Sequence, residues 1–371
     1  MATHKERLSK LFAYADVKIN GSRPWDIRVH DERFYKRVLT DGSLGLGESY
    51  MDGWWDCPKL DECTFRLLRA NLREKFKPNL KLILAVLAAK IINRQTKRRA
   101  YKNSKRTYDI GRDLYKAMLD KRMVYTNGYW KNAKNLDEAQ EAKLDLICKK
   151  IGLKPGMKLL DIGCGWGGLV YHAAKKYKAK AVGITVSPEH VQYSRELCKG
   201  LPVEIRLQDY RDINEKFDCI ASVEMIEHVG YKNHRKFMEV AHRCLKDDGL
   251  FLLQVIGSNT STKRADPWTD KYIFPGVVVP SIAQLGKATE GLFVIEDLHN
   301  FGADYSKTLM RWWNNFKRNY DKLKDKYNEI FYRMWKFYLV GGSGMARSRD
   351  TQLWQIVYSK NGVLGGYKSI R

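Results

Sequence analysis

The stretch Leu159-Leu-Asp-Ile-Gly-Cys-Gly-Trp-Gly-Gly168 restricts this chain more than any other. An apolar run closes on Asp161, Gly163, Gly165 and Gly167 follow at alternate places, and an apolar-periodic segment begins directly after them. That order reads as a strand, a tight turn and a helix. Glycine permits positive φ and lets a ligand approach the main chain where a Cβ would collide. A turn of this kind at the end of a strand suits a nucleotide-like ligand.

The segments that follow repeat the unit. Helical periodicity covers Asp137 to Ile151, Leu169 to Lys176, Pro188 to Cys198 and His234 to Leu245; strand patterns cover Lys158 to Ile162, Lys180 to Thr185, Val203 to Leu207, Asp218 to Val223 and Gly249 to Ile256. Helices alternating with strands at this rhythm predict an α/β fold: a mostly parallel, Rossmann-like sheet with helices on both faces. Ligands of such sheets lie beyond the carboxyl ends of the strands. Asp161, Thr185, Gln208-Asp209 and Glu224 to His228 all fall there.

Around this core the chain divides. Residues 1–70 read as a small N-terminal domain, with short strands at Val17 to Ile19 and Trp25 to Val29, a helix from Arg33 to Leu39, and a glycine-spaced run from Leu44 to Trp55. Residues 71–106 form a basic amphipathic linker whose apolar centre, Leu80 to Ile92, is flanked by cations. It suits either a membrane-surface element or a helix buried between domains. The catalytic domain spans 107–371, with a substrate-pocket insertion near 258–340: a proline-rich aromatic stretch around Trp268 to Pro275, then an aromatic helical stretch from Thr308 to Tyr338. Gly341-Gly-Ser-Gly344 is expected to break that helix, and Leu353 to Tyr358 to close the sheet.

The formal charge of +25 favours an anionic partner, either nucleic acid or an acidic membrane surface. Seven scattered cysteines with no Cys-x-x-Cys pair suggest neither a disulfide framework nor a metal site, which fits a reducing cytoplasm. The amino-terminal residues lack a signal-peptide core, and the Leu82 to Ala89 run is too short to span a bilayer.

The glycine spacing is GxGxG, not the GxGxxG of dinucleotide folds, and with Asp161 ahead of it the turn looks like the first motif of S-adenosylmethionine (SAM) methyltransferases. Gln208-Asp209-Tyr210 would offer an adenine hydrogen-bond partners and a stacking ring. The second strand ends in Thr185 where an acid would suit a ribose; Glu189 could substitute or could simply serve a helix N-terminus. Glu224, Glu227 and His228 crowd one strand end, as a catalytic cluster or as an ordinary helix cap would.

Eight blocks in order then resemble the cyclopropane-fatty-acyl-phospholipid synthase family: Leu44 to Trp55, Tyr108 to Tyr115, Leu160 to Gly168, Gln208 to Asp212, Glu227 to Gly230, Tyr272 to Pro275, His299 to Tyr305 and Arg349 to Gln355. The resemblance runs nearly end to end. It implies a SAM-dependent enzyme that converts the cis double bond of an unsaturated phospholipid acyl chain to a cyclopropane. The route implied is methyl transfer, a carbocation, and deprotonation by a bound bicarbonate ion. Glu227 and Tyr305 match two holders of that anion. Asn127 stands where the family usually has cysteine and Gln254 where it usually has histidine. Both amides can donate hydrogen bonds, so the anion site is expected to persist with altered affinity. His228 completes the expected catalytic set. Tyr108, Tyr125, Thr126, Asp161, Gly163, Gly165, Thr185, Gln208 and Asp209 match SAM contacts, and His190 takes a place often filled by glutamine. A weak cage would instead favour a methyl-branched or methylene product. The resemblance further implies a homodimer organised by the N-terminal domain. With the charge, it implies a cytoplasmic protein peripheral on the inner face of the membrane, acting on unsaturated phospholipids of an anionic surface.

A nucleic-acid methyltransferase would also be basic, but the Glu224 to His228 stretch lacks the Asn-Pro-Pro-Tyr type of motif that holds a flipped base. A lipid-binding protein that has kept the fold without the activity is the third reading.

Overall fold

The computed structural model describes residues 2–72, 93, 95–108 and 110–371. Most of the basic linker, including Arg73, Lys75 and Lys81, therefore lies outside the described residues.

Nine strands are found among the described residues: β1 Arg28–Val29, β2 Trp55–Asp56, β3 Lys158–Ile162, β4 Lys180–Thr185, β5 Val203–Leu207, β6 Phe217–Val223, β7 Leu245–Ser258, β8 Val294–Asn300 and β9 Thr351–Ser359. The last seven form one sheet in the order β5-β4-β3-β6-β7-β9-β8. Strands β3 to β7 pair in parallel, and β9 runs antiparallel between β7 and β8. The chain direction across the sheet reverses at β3, whose neighbours are β4 and β6. The crevice at that switch point receives ligands in open α/β sheets.

Alternation along the strands builds two cores, since successive side chains point to opposite faces. Leu160, Ile162, Val182, Ile184 and Ile220 pack with the helix His234–Cys244 and with Leu285 and Ala288. Leu159, Ala181, Ile205, Cys219 and Ala221 pack with the helices Leu136–Lys150 and Gly168–Tyr177 on the other face. Both faces are covered, as a parallel sheet requires.

A third core joins the N-terminal domain to the aromatic tail. Leu8, Phe34, Tyr50 and Trp55 share one apolar cluster with Trp312, Phe316, Trp335 and Leu339. Arg333 ties the two, donating to the carbonyls of Tyr50 at 2.5 Å and Trp55 at 2.8 Å and to the Asp56 carboxylate at 2.8 Å.

Four elements differ from the sequence reading. The Val17 to Ile19 strand is reduced to a single bridge between Ile19 and Ile27. The glycine-spaced run is mostly the helix Ser43–Met51, because its small residues let neighbours close in: a Cβ on Gly47 would lie 2.3 Å from the Trp268 ring. The aromatic stretch is two helices, Asp304–Asn319 and Glu329–Ser348, and the second runs straight through Gly341 to Gly344. Those glycines are an approach surface and not a break: a Cβ on Gly344 would sit 2.2 Å from the Asp61 carbonyl of the facing helix Leu60–Arg69. Strand β8 escaped the pattern because a register shift between Ile295 and Asp297 spoils its alternation.

Candidate active site

The turn after β3 has the backbone its glycines permit, with φ of 87° at Gly163, 50° at Gly165 and 85° at Gly167. The Gly163 and Cys164 amides donate to the Ile184 carbonyl at 3.0 and 2.9 Å, which pins the turn to the end of β4. A Cβ on Gly163 would lie 2.5 Å from Met225 Cγ, whereas one on Gly165 would meet nothing within 4 Å. Asp161 is buried, its Oδ1 has no hydrogen-bond partner, and burial pushes its carboxyl up to about 7 despite Lys143 nearby. Cys164 is buried against Gly183, which fits a small packing residue.

Thr185 closes β4 and its hydroxyl accepts from the Ser187 amide at 3.2 Å. His190 lies buried with Nδ1 3.4 Å from that hydroxyl and its ring edge-on to Trp166 at 4.5 Å. Burial drops its pKa to about 3, so the ring is neutral. The Gln208 amide donates to the Thr185 carbonyl at 2.9 Å, which brings the ends of β4 and β5 together. Two expected adenine contacts are arranged differently. The Asp209 carboxylate caps the turn Tyr210–Asp212 and is held by the Arg211 guanidinium at 2.7 and 2.9 Å. Tyr210 is buried against Phe237 in the core below the sheet, because the turn that Asp209 caps directs its ring inward. Glu189 pairs with Arg112 at 3.6 Å in the first turn of its helix. Tyr108 ends the helix Lys97–Tyr108, and its side chain lies outside the described residues.

Tyr125, Thr126 and Asn127 run past the glycine turn. The Thr126 hydroxyl accepts from Lys143 Nζ at 2.6 Å, and its carbonyl accepts from Gln140 at 2.7 Å. Lys143 is fully buried and burial lowers its pKa to about 8, opposed by Glu224, Asp120 and Asp161. A cation therefore stands behind the site among three carboxylates. Asn127 is buried too: its main-chain N–H donates to Glu224 Oε1 at 2.8 Å, its Oδ1 accepts from the Thr308 hydroxyl at 2.7 Å, and its Nδ2 has no partner. Thr308 also accepts from the Gly128 amide at 3.1 Å and from Trp130 Nε1 at 2.8 Å.

The strand ends of β6 and β7 supply the carboxylate cluster. Glu224 sits at φ 51°, and its Oε1 takes a second hydrogen bond from Gln254 Nε2 at 2.7 Å. Gln254 is held in turn by Gln355, which donates to its Oε1 at 3.0 Å. Glu227 is buried; its Oε1 accepts from the Ile256 amide at 2.6 Å and its Oε2 has no partner. Burial, with Glu224 adding like charge, pushes the Glu227 carboxyl up to about 8. His228 is half-buried and neutral, its pKa lowered to about 4 by burial, and its ring lies 5.5 Å from Phe274.

Aromatic rings wall the space beside these groups. Tyr125 packs on Tyr115 and Trp312 at 5.1 Å each, and its hydroxyl donates to Tyr338 at 3.0 Å. Tyr305 stands edge-on to Trp312 at 6.4 Å, and Phe274 lies 5.8 Å from Tyr338. Such π faces stabilise positive charge in a dry site.

At the place expected for a bound bicarbonate, Gln254 Nε2 and the main-chain N–H of Asn127 are spent on the Glu224 carboxylate, while the Asn127 side-chain Nδ2 keeps no partner. An anion seated there would face the Glu224 carboxylate that already holds these donors. The residues present do not fit that ion.

Lys143, Thr308 and Gln355 were not singled out from the sequence. Lys143 had a signal: with Gln140 it interrupts the buried face formed by Leu136, Ala139, Leu144 and Ile147. Thr308 and Gln355 had none.

Residues 95–356 match the family model described as mycolic acid cyclopropane synthetase. The chain is 49% identical over 363 residues to the cyclopropane-fatty-acyl-phospholipid synthase of Escherichia coli K12, covering 98% of this chain and 95% of that one. It is 35% identical to sphingolipid C9-methyltransferase A of Emericella nidulans, over 68% of this chain and 52% of that one. Among solved structures, a mycolic acid cyclopropane synthase complexed with SAH and CTAB superposes with a TM-score of 0.66 at 29% identity, over 70% of this chain and 98% of that one. Coclaurine N-methyltransferase, at 21% identity and a TM-score of 0.72, shares the fold alone. A glycine turn, a carboxylate cluster and an aromatic wall on a sheet of this order, with sequence similarity from end to end, make this chain a member of the cyclopropane-fatty-acyl-phospholipid and mycolic acid cyclopropane synthase family of SAM-dependent methyltransferases.

Proposed function

We propose that the protein transfers a methylene unit from SAM to the cis double bond of an unsaturated acyl chain in a membrane phospholipid, forming a cyclopropane. The observation that carries this is one continuous site, in which the ligand turn at Gly163 abuts Met225, between Glu224 and Glu227, and Tyr125 leads from it into the aromatic wall. SAM, when bound, supplies an electrophilic methyl group on a sulfonium. Gly163, Gly165, Asp161, Thr185, Gln208, Tyr125 and Thr126 are the groups that would hold it. An alkene is a weak nucleophile, so the chain's contribution is proximity, exclusion of water and stabilisation of positive charge. Tyr125, Tyr305, Trp312 and Phe274 supply the last two. Removing a proton from the transferred methyl group needs a base at the Glu224 and Glu227 cluster.

The substrate lies in a bilayer, and no helix among the described residues is long and apolar enough to cross one. The excess of cations supports docking on an anionic leaflet, each well-placed one contributing about 1 kcal/mol. Not all cations are available for this: Lys97 is paired with Asp212, and Arg99 donates to the Asn93 carbonyl at 2.8 Å. The N-terminal domain is the part we assign to lipid contact and dimerisation. Incubation with labelled SAM and vesicles of unsaturated phospholipid, followed by mass spectrometry of the acyl chains, tests the reaction. The expected product gains one CH₂ and resists mild hydrogenation of alkenes. Unlabelled lipid would refute the reading, and a reducible methylene product would assign the other outcome of the same cation.

A further inference from the structure

Glu224 holds a left-handed backbone at φ 51°, a conformation that glycine adopts freely and a long side chain does not. Its carboxylate takes the main-chain N–H of Asn127 at 2.8 Å and Gln254 Nε2 at 2.7 Å. Asn127 and Gln254 are the two positions where this sequence departs from the family's usual anion cage. One departing side chain, Gln254, and the main chain at the other departure, Asn127, thus meet a strained residue on one oxygen atom. Strain that persists at a site where neighbours over-determine it marks function more often than accident.

We propose that the Glu224 carboxylate occupies the place of the bound anion and is itself the base of the reaction. This rests on the reaction proposed above. The alkene π pair forms a carbon–carbon bond to the methyl carbon as the carbon–sulfur bond breaks, which leaves neutral S-adenosylhomocysteine and a positive charge on the adjacent chain carbon. A C–H bond of the new methyl group then breaks. Its proton goes to the Glu224 carboxylate, and its electron pair closes the third side of the ring. Glu224, now a carboxylic acid, returns the proton to water before the next turnover.

The two carboxylates divide the roles. Glu227 receives one hydrogen bond, and burial with like charge lifts it to about 8, so it carries a proton at neutral pH. Glu224 receives two donors on one oxygen and faces the Lys143 ammonium, contacts that favour its anionic form and that Glu227 lacks. Burial still raises Glu224 above an ordinary glutamate, which strengthens it as a base. Environments that push neighbouring carboxyls apart in this way set acid and base assignments in other enzymes.

The test uses the full chain with unsaturated phospholipid vesicles and SAM, in buffer stripped of carbon dioxide or supplemented with bicarbonate. The wild-type rate should be the same in both. Glu224→Gly, which the backbone favours, should lose on the order of 100-fold or more without bicarbonate, as expected for a lost base. It should regain at least tenfold with bicarbonate or formate, which fit the vacated space. Glu224→Gln should lose as much and regain nothing, because the amide fills the space; a merely structural role would not give this split. A wild-type rate that rises severalfold with bicarbonate, or a Glu224→Gly rate equal to wild type without it, would overturn the proposal. Binding of ¹³C-bicarbonate followed by NMR separates this from the reaction itself. If no lipid is methylated, the reaction reading fails, yet bicarbonate bound to the Gly variant and not to wild type would still support the assignment of the place, and binding to wild type would overturn it.

Discussion

Replacing Glu227 by glutamine should make the protein more stable at pH 8 than wild type while leaving its stability at pH 5 nearly unchanged. The side chain is buried, with one oxygen bonded to the Ile256 amide at 2.6 Å and the other unpartnered. Glutamine keeps the first bond and brings no charge. In wild type the carboxyl titrates near 4.5 when unfolded and at about 8 when folded. A folded pKa above the unfolded one means that the folded state binds the proton more tightly. Stability is therefore fully present below about pH 4.5 and is lost as pH rises through 8. The interval corresponds to about 5 kcal/mol at 1.36 kcal/mol per pH unit, an upper limit because water entering the site would solvate the charge. Lys143, lowered to about 8, acts only above that pH, where its deprotonation restores stability as pH rises further. Urea unfolding at intervals from pH 5 to 8.5 checks the reasoning. The difference between variant and wild type should open steadily over that range; a constant difference would refute the burial of a titrating Glu227.

Three further substitutions follow from particular contacts. Gly344→Ala places a Cβ 2.2 Å from the Asp61 carbonyl and should cost about 1–3 kcal/mol or more in thermal or urea unfolding, whereas Gly341→Ala, with only Thr64 at 3.6 Å, should be neutral or stabilise by a few tenths. Lys143→Met removes the buried cation beside Asp161, Glu224 and Thr126; uncompensated buried charge should cost about 3–5 kcal/mol and weaken S-adenosylhomocysteine binding at least tenfold by calorimetry. Arg333→Ala severs three hydrogen bonds to the N-terminal domain and a cation–π contact with Tyr50 at 4.3 Å, and should expose the 1–70 region to limited proteolysis before the rest.

The ends of β3, β4 and β5 coincide with the strand patterns read from sequence, because a buried parallel strand is a short apolar run whose limits are set by turn residues on either side. The glycine turn, Asp161, Thr185 and Glu227 were legible for the same reason: topology alone sends strand ends to one crevice. Lys143 left only an interruption in an apolar face, and Thr308 and Gln355 left nothing, since their roles come from partners more than a hundred residues away.

Local chemistry determined the sheet, its turn and the crevice, since those depend on periodicity and backbone freedom within a few residues. What only the tertiary structure decided is where each polar group spends its hydrogen bonds. Asp209 is given to Arg211 and Tyr210 to the core, while Gly341 to Gly344 continue a helix because another helix presses on them. Asn127, Gln254 and Glu224 are far apart in the chain, and each alone looks like a neutral change or an ordinary strand-end acid. Folded, the main chain at Asn127 and the Gln254 side chain converge on one Glu224 carboxylate oxygen in a dry site, where a charge needs donors.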